Sequence, residues 1–133
     1  MLKSKIHRAT VTHADLNYEG SISIPRTLLL EADILEYEEV WVWNVTNGAR
    51  FATYAIECNT SPSEISVNGA AAHLVNPGDI IIIASFIELH QSELSSFTPK
   101  LVFVDADNQI KPTRKEIAGP ARPFLGHSPI SVL

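Results

Sequence analysis

A single cysteine, Cys58, stands among 133 residues. That excludes an intramolecular disulfide and fits a reducing compartment. Such a cysteine reads as a small buried hydrophobe before it reads as a nucleophile. Basic residues are also scarce: 10 Lys and Arg against 15 Asp and Glu leave a net charge of −5. Nucleic acid as the main partner demands clustered cations to neutralise phosphates, so no nucleic acid is expected. Long apolar runs are missing. The longest, Ile80 to Ala84 with Phe86 and Ile87 beyond Ser85, is too short to cross a bilayer, so no membrane partner is expected. The N-terminus is charged at Lys3, Lys5 and Arg8 and does not read as a secretory signal. The expectation is a soluble, cytoplasmic protein. His7, His13 and His73 with Asp15 lack the close spacing of a zinc site, so no metal is expected.

What is present is a hydrophobic fraction of 45%, enough for one compact domain spanning residues 1–133. Residues 3–13 alternate, which predicts a strand with Lys5 and His7 on one face. Asp15-Leu16-Asn17 predicts a turn and residues 19–24 the next strand. Pro25 is expected to open a short helix through Ala32, with the run Leu28-Leu29-Leu30 burying it on more than one side. Glu39–Val45 and Arg50–Glu57 read as strands joined at Asn47-Gly48, the strongest hairpin signal in the chain. Ile65–Val67 is a short strand, Asn68-Gly69 a tight turn, and Ala70–His73 one helical turn. After the turn at Asn76-Pro77-Gly78-Asp79 comes an apolar strand, Ile80–Leu89. Lys100–Asp105 and Gln109–Lys111 predict a last hairpin, and prolines and glycines from about residue 118 to 133 an irregular tail. Many short strands with one or two short helices imply a mainly β fold, a closed or nearly closed small β-barrel.

One stretch, Thr12 to Ile24, stands out for its chemistry. At its centre Gly20-Ser21 places a hydroxyl one bond from an unencumbered carbonyl. Attack by that hydroxyl converts the amide into an ester. Elimination and hydrolysis then leave a pyruvoyl group on the new N-terminus. Gly-Ser alone is common in plain turns. The surroundings of a nucleophile elbow are absent, which argues against a serine hydrolase.

The chain resembles the pyruvoyl-dependent aspartate decarboxylases across many ordered segments. These include Lys5-Ile6-His7-Arg8, Val11-Thr12-His13-Ala14-Asp15-Leu16, Tyr18-Glu19-Gly20-Ser21 and Trp43-Asn44-Val45-Thr46-Asn47-Gly48. Further on come Arg50, Thr53-Tyr54-Ala55-Ile56, Ser66-Val67-Asn68-Gly69-Ala70-Ala71-Ala72-His73 and Gly78-Asp79-Ile80. The resemblance implies a double-psi β-barrel assembled as a homotetramer. It implies self-cleavage between Gly20 and Ser21 into a β chain of residues 1–20 and an α chain of residues 21–133. The implied cofactor is the pyruvoyl group derived from Ser21. The implied reaction takes L-aspartate to β-alanine and carbon dioxide through a Schiff base, for pantothenate synthesis. Part of the family is matured by a helper protein, a second partner that the resemblance allows. Rival readings are a pyruvoyl decarboxylase for another amino acid and an uncleaved β-barrel binding module.

The resemblance also assigns roles. Arg50 falls on a substrate-binding position, where a guanidinium fork suits a carboxylate; otherwise it is a solvated arginine after a turn. Tyr54 matches the proton donor, or is an aromatic packing residue with its hydroxyl at the rim. Thr53 matches a substrate contact also implicated in cleavage, although strand neighbours point to opposite faces. Gly69, Ala70 and Ala71 match a segment whose open N–H groups meet substrate, and Asn68 a position near the processed bond; the plain alternative is an Asn-Gly turn. Lys5 offers a second positive charge or is a surface lysine. His7 is catalytic or structural, and Tyr18 lines the processing site or simply packs.

Overall fold

The computed structural model describes residues 1–119. The predicted tail from about 118 to 133 therefore lies almost wholly outside the described residues. Eight strands form one sheet: β1 (Leu2–Thr10), β2 (His13–Asp15), β3 (Ser21–Pro25), β4 (Glu39–Asn44), β5 (Arg50–Cys58), β6 (Ser66–Asn68), β7 (Ile80–Phe86) and β8 (Lys100–Phe103). Their order is β2-β6-β3-β5-β4-β7-β1-β8, and helix α1 (Arg26–Ala32) packs on β1, β3 and β8. The protein is thus mainly β with few short helices, in keeping with a small β-barrel. No helix among the described residues is long and apolar enough to cross a membrane.

Alternation builds the core. Val40 and Val42 of β4 and Ile81 and Ile83 of β7 are fully buried, while Trp41 faces outward. Ile6, Ile22, Ile24, Val67 and Val102 join them from the other strands. Each such side chain contributes roughly 1.5–3 kcal/mol when fully buried. The Asn47-Gly48 hairpin forms as expected. Gly48 has φ +81, and Asn44 Oδ1 accepts from the N–H groups of Thr46 and Asn47. Asn44 Nδ2 also donates to the buried Asp79 carboxylate at 2.8 Å, tying this turn to the one at residues 76–79.

Several expectations need correction. The strand expected over residues 3–13 runs only from Leu2 to Thr10, and it is bulged between Ile6 and Ala9, where Arg8 has φ +64. The bulge lets both Ile6 and Ala9 face the core, which strict alternation forbids. His13–Asp15 instead forms its own strand, parallel to β6. Pro25 ends β3 and caps the helix rather than opening it. The helix buries one stripe, Leu28, Leu29 and Ala32, and leaves Leu30 exposed, so the leucine run does not signal burial all round. The apolar strand stops at Phe86, and Gln91–Ser96 forms an unforeseen 3₁₀ turn capped by His90 and Glu93. The last hairpin shrinks to one bridge, Val104 with Ile110, around Asn108 at φ +60. Cys58 is half-buried, with its thiol near Ser61 O, and not a core hydrophobe.

Candidate active site around Gly20 and Ser21

The Gly20–Ser21 bond lies at the mouth of β3, which runs between β6 and β5. Antiparallel pairing sets Ser21 opposite Asn68. Parallel pairing of Ile22 with Ala55 brings Tyr54 alongside Ser21. These two registers join segments far apart in the chain. The result is a cleft of about 380 Å³ whose walls include Tyr18, Gly20, Ser21, Tyr37, Tyr54 and Asn68.

Ser21 is buried and has φ +137, a region that L-residues rarely adopt. Such a backbone stores on the order of 1–3 kcal/mol. A hydrogen-bond chain orients its hydroxyl. Ser66 Oγ donates to Asn68 Oδ1 at 2.8 Å, which turns the Asn68 amide so that Nδ2 faces Ser23 Oγ (3.2 Å) and Ser21 Oγ (3.4 Å). The Ser66 hydroxyl thereby fixes which way the Asn68 amide points.

Gly20 itself has open space where a Cβ would stand, and its φ lies outside the left-handed region. The crowded glycine is Gly69. It has φ +72, and a Cβ there would lie 2.8 Å from Gly20 Cα and 3.0 Å from Gly20 N. Gly69 starts the 3₁₀ turn Gly69–Leu74, matching the expected helical turn. Its close approach wedges that turn against the residue before Ser21. Gly69→Ala is expected to destabilise by at least about 1–2 kcal/mol, measured by urea denaturation. Gly48→Ala carries a similar φ of +81 with no neighbour within 4 Å, so it isolates the backbone cost from the clash.

The sequence candidates divide among three places. Ser21, Gly20, Tyr18, Tyr54 and Asn68 share the cleft. Gly69 touches it through Gly20, with Ala70 exposed and Ala71 half-buried behind it. Thr53 is half-buried and absent from the walls, as opposite-facing strand neighbours require. Arg50 lies four positions before Tyr54 on β5, about 13 Å along the strand at ~3.3 Å per residue. Its guanidinium lies 5.0 Å from the centre of the Trp43 ring.

Lys5 and His7 form the third group, on β1, four strands from β3 in the sheet order. The Lys5 side chain is only 8% exposed and pairs with the Glu116 carboxylate. His7 meets Phe103 edge-on at 5.5 Å, and its buried Nδ1 has no hydrogen-bond partner among the described residues. Burial and the charges of Lys5 and Arg8 lower the His7 pKa, so the ring is neutral near pH 7. Among the described residues no group of three or more His, Cys, Asp or Glu side chains is placed to hold a metal.

Two features of the cleft escaped the sequence reading. Ser66 carried a usable signal, since it shares a strand face with Asn68 at period two. Tyr37 carried none. It sits at φ +69, where glycine or asparagine is the usual choice.

Comparison with known proteins places these residues in context. The family model described as aspartate decarboxylase matches residues 1–111. Aspartate 1-decarboxylase of Myxococcus xanthus is 54% identical over 123 residues, covering 92% of this chain and 95% of the relative. The Chromobacterium violaceum protein of the same name is 57% identical over 92% of this chain and 96% of its own length. That of Legionella pneumophila strain Lens is 56% identical, over 90% of each chain.

Proposed function

Because the chain belongs to the aspartate decarboxylase family, we propose that it converts L-aspartate to β-alanine and carbon dioxide, supplying pantothenate synthesis, after cleaving itself between Gly20 and Ser21. The observation that carries this reading is the buried Ser21 at φ +137, held by Asn68 in a cleft shared with Tyr54. Ser21 Oγ attacks the Gly20 carbonyl carbon, the C–N bond breaks, and the hydroxyl proton passes to the freed amine. Loss of the Ser21 α-proton and departure of the Gly20 carboxylate leave an enamine. Water then releases ammonia and leaves the pyruvoyl group at residue 21. The products are chains 1–20 and 21–133.

The cleft fits that group. Its ketone would stand where Ser21 is already shielded from solvent, and Asn68 Nδ2 is a ready donor to an oxygen there. The pyruvoyl group supplies an electron sink for the pair released as carbon dioxide leaves. The chain's own residues do the rest. Tyr54 delivers a proton to the substrate carbon, and N–H groups of Gly69, Ala70 and Ala71 meet a substrate carboxylate. Arg50 holds a carboxylate with its guanidinium fork, with Lys5 as a second cation, His7 and Tyr18 in support, and Thr53 as a substrate contact.

Arg50, Thr53, Lys5 and His7 do not line the Ser21 cleft of their own chain. We therefore read the site as completed by a neighbouring copy in a homotetramer with double-psi barrel subunits. Exposed Trp41, Phe86 and Ile87 are apolar surface available for such contacts.

The test uses fully cleaved protein and a panel of amino acids. Release of carbon dioxide from aspartate, well above glutamate or other amino acids, is expected. A preference for a different amino acid would keep the chemistry and overturn the substrate. Arg50→Ala is expected to weaken aspartate binding roughly ten- to hundredfold, since charged hydrogen bonds contribute about 1.5–3 kcal/mol.

A further inference from the structure

Leu35 to Glu38 is a tight turn. The Glu38 N–H donates to Leu35 O at 3.1 Å, and Tyr37, the third residue, has φ +69. A positive φ at that place marks the type II turn, which takes glycine or asparagine there. A bulky aromatic residue at positive φ is an outlier, and a strained residue invites a functional explanation.

The turn is also pinned with unusual thoroughness. Glu38 Oε1 accepts from the Leu35 N–H at 3.0 Å, while Glu38 Oε2 pairs with Lys3 Nζ at 2.8 Å and accepts from Ser85 Oγ. Burial alone would raise the Glu38 carboxyl pKa, but hydrogen bonds from Lys3, Ser85 and the Leu35 amide outweigh it and hold it low. On the far side, Tyr37 N–H donates to Ala55 O at 2.7 Å and Ala55 N–H to Glu38 O at 3.0 Å. The strained residue is thus bonded directly to the strand that carries Tyr54.

The side chain does little for the fold. Tyr37 is 74% exposed, so burial does not account for the aromatic ring. What the ring touches is Tyr54: the two rings stack with centroids 6.3 Å apart at 29°, and both line the cleft of Gly20 and Ser21. We propose that Tyr37 is a positioning residue of this site, whose ring holds the Tyr54 ring so that its hydroxyl faces the reacting carbon. This rests on the role given to Tyr54 above. An exposed strand tyrosine otherwise samples several side-chain rotamers, and a stacked neighbour removes most of that freedom.

The test replaces Tyr37 by asparagine, which suits the backbone and removes the ring. Tyr37→Asn is expected to cleave fully and to melt no lower than the parent. Its single-turnover decarboxylation should slow roughly three- to tenfold, the scale of one aromatic pair, with KM nearly unchanged. Tyr37→Phe keeps the ring and should restore the rate to within about twofold. In the background of Tyr54→Phe, the same Tyr37→Asn change should cost nothing further, because its route through Tyr54 is gone.

Parent turnover in Tyr37→Asn overturns the proposal. So does an equal loss in Tyr37→Phe, which would implicate the hydroxyl, or an additive loss in the double variant, which would place the effect elsewhere. Tyr54→Phe alone separates this proposal from the reading beneath it. If that variant turns over at the parent rate, the role of Tyr54 falls first, and any loss in Tyr37→Asn then has no route through it.

Discussion

Ser21→Ala is expected to yield one uncut chain with no measurable decarboxylation. The parent should resolve into two chains, the larger lighter by one ammonia than simple hydrolysis after Gly20 would leave it. Intact mass spectrometry and a carbon dioxide assay read both outcomes on the same sample. The size of the effect follows from chemistry rather than from packing. Alanine has no oxygen to attack the Gly20 carbonyl and no leaving group for the elimination that makes the ketone, so both cleavage and electron sink vanish together. Removing a buried hydroxyl costs stability only modestly by comparison, about 1 kcal/mol for the lost hydrogen bond. Ser23→Ala is the matched control. Ser23 Oγ receives its own hydrogen bond from Asn68 Nδ2, at 3.2 Å, but follows no glycine. It is expected to cleave. Cleavage persisting in Ser21→Ala would falsify self-processing at this bond, and an uncut parent purified alone would point to a helper protein.

The difference between these two serines was half legible in the sequence. Gly20-Ser21 and its neighbours pointed to the bond, because that chemistry needs only adjacent residues. The Asn47-Gly48 hairpin and the turn after Asn68 were legible for the same reason: φ preference and hydrogen bonding act within a few residues. What concentrates at the cleft is non-local. Tyr54 stands beside Ser21 only because β3 and β5 pair in parallel, in a register set by Ile22 and Ala55. Asn68 meets Ser21 across an antiparallel pair with β6. Neither pairing leaves a periodic trace.

The demand for glycine lies at a different residue from the scissile one. Sequence alone made Gly20 the permissive residue, yet the backbone strain sits on Ser21 and the steric need for glycine on Gly69, which approaches Gly20 from the neighbouring strand end. Lys5 illustrates a further gap. As an isolated residue near the N-terminus it passes for surface, but β7 and β8 flank it on either side, and among the described residues only Glu116, 111 positions on, answers its charge. A salt bridge between residues 111 positions apart cannot be read from spacing.

Tyr54→Phe separates chemistry from packing. The ring and its stack on Tyr37 survive, as does the backbone pairing with Glu39. Only the hydroxyl is lost. Cleavage should therefore proceed normally, and a non-reactive aspartate analogue should bind with nearly parent affinity. Turnover should fall by roughly two to four orders of magnitude, the usual contribution of a positioned acid. The loss belongs in the rate of the chemical step, since the proton is needed only after the carboxylate has departed; interactions made that late change kcat and kcat/KM together. Single-turnover decarboxylation on fully cleaved protein reads that step directly, with analogue affinity measured separately. Because Tyr54 is 38% exposed, water reaches the same cleft, and a solvent proton is the natural competitor. That competitor makes a distinct forecast. If water supplies the proton, Tyr54→Phe turns over at the parent rate, and the tyrosine is a packing partner of Tyr37 and nothing more.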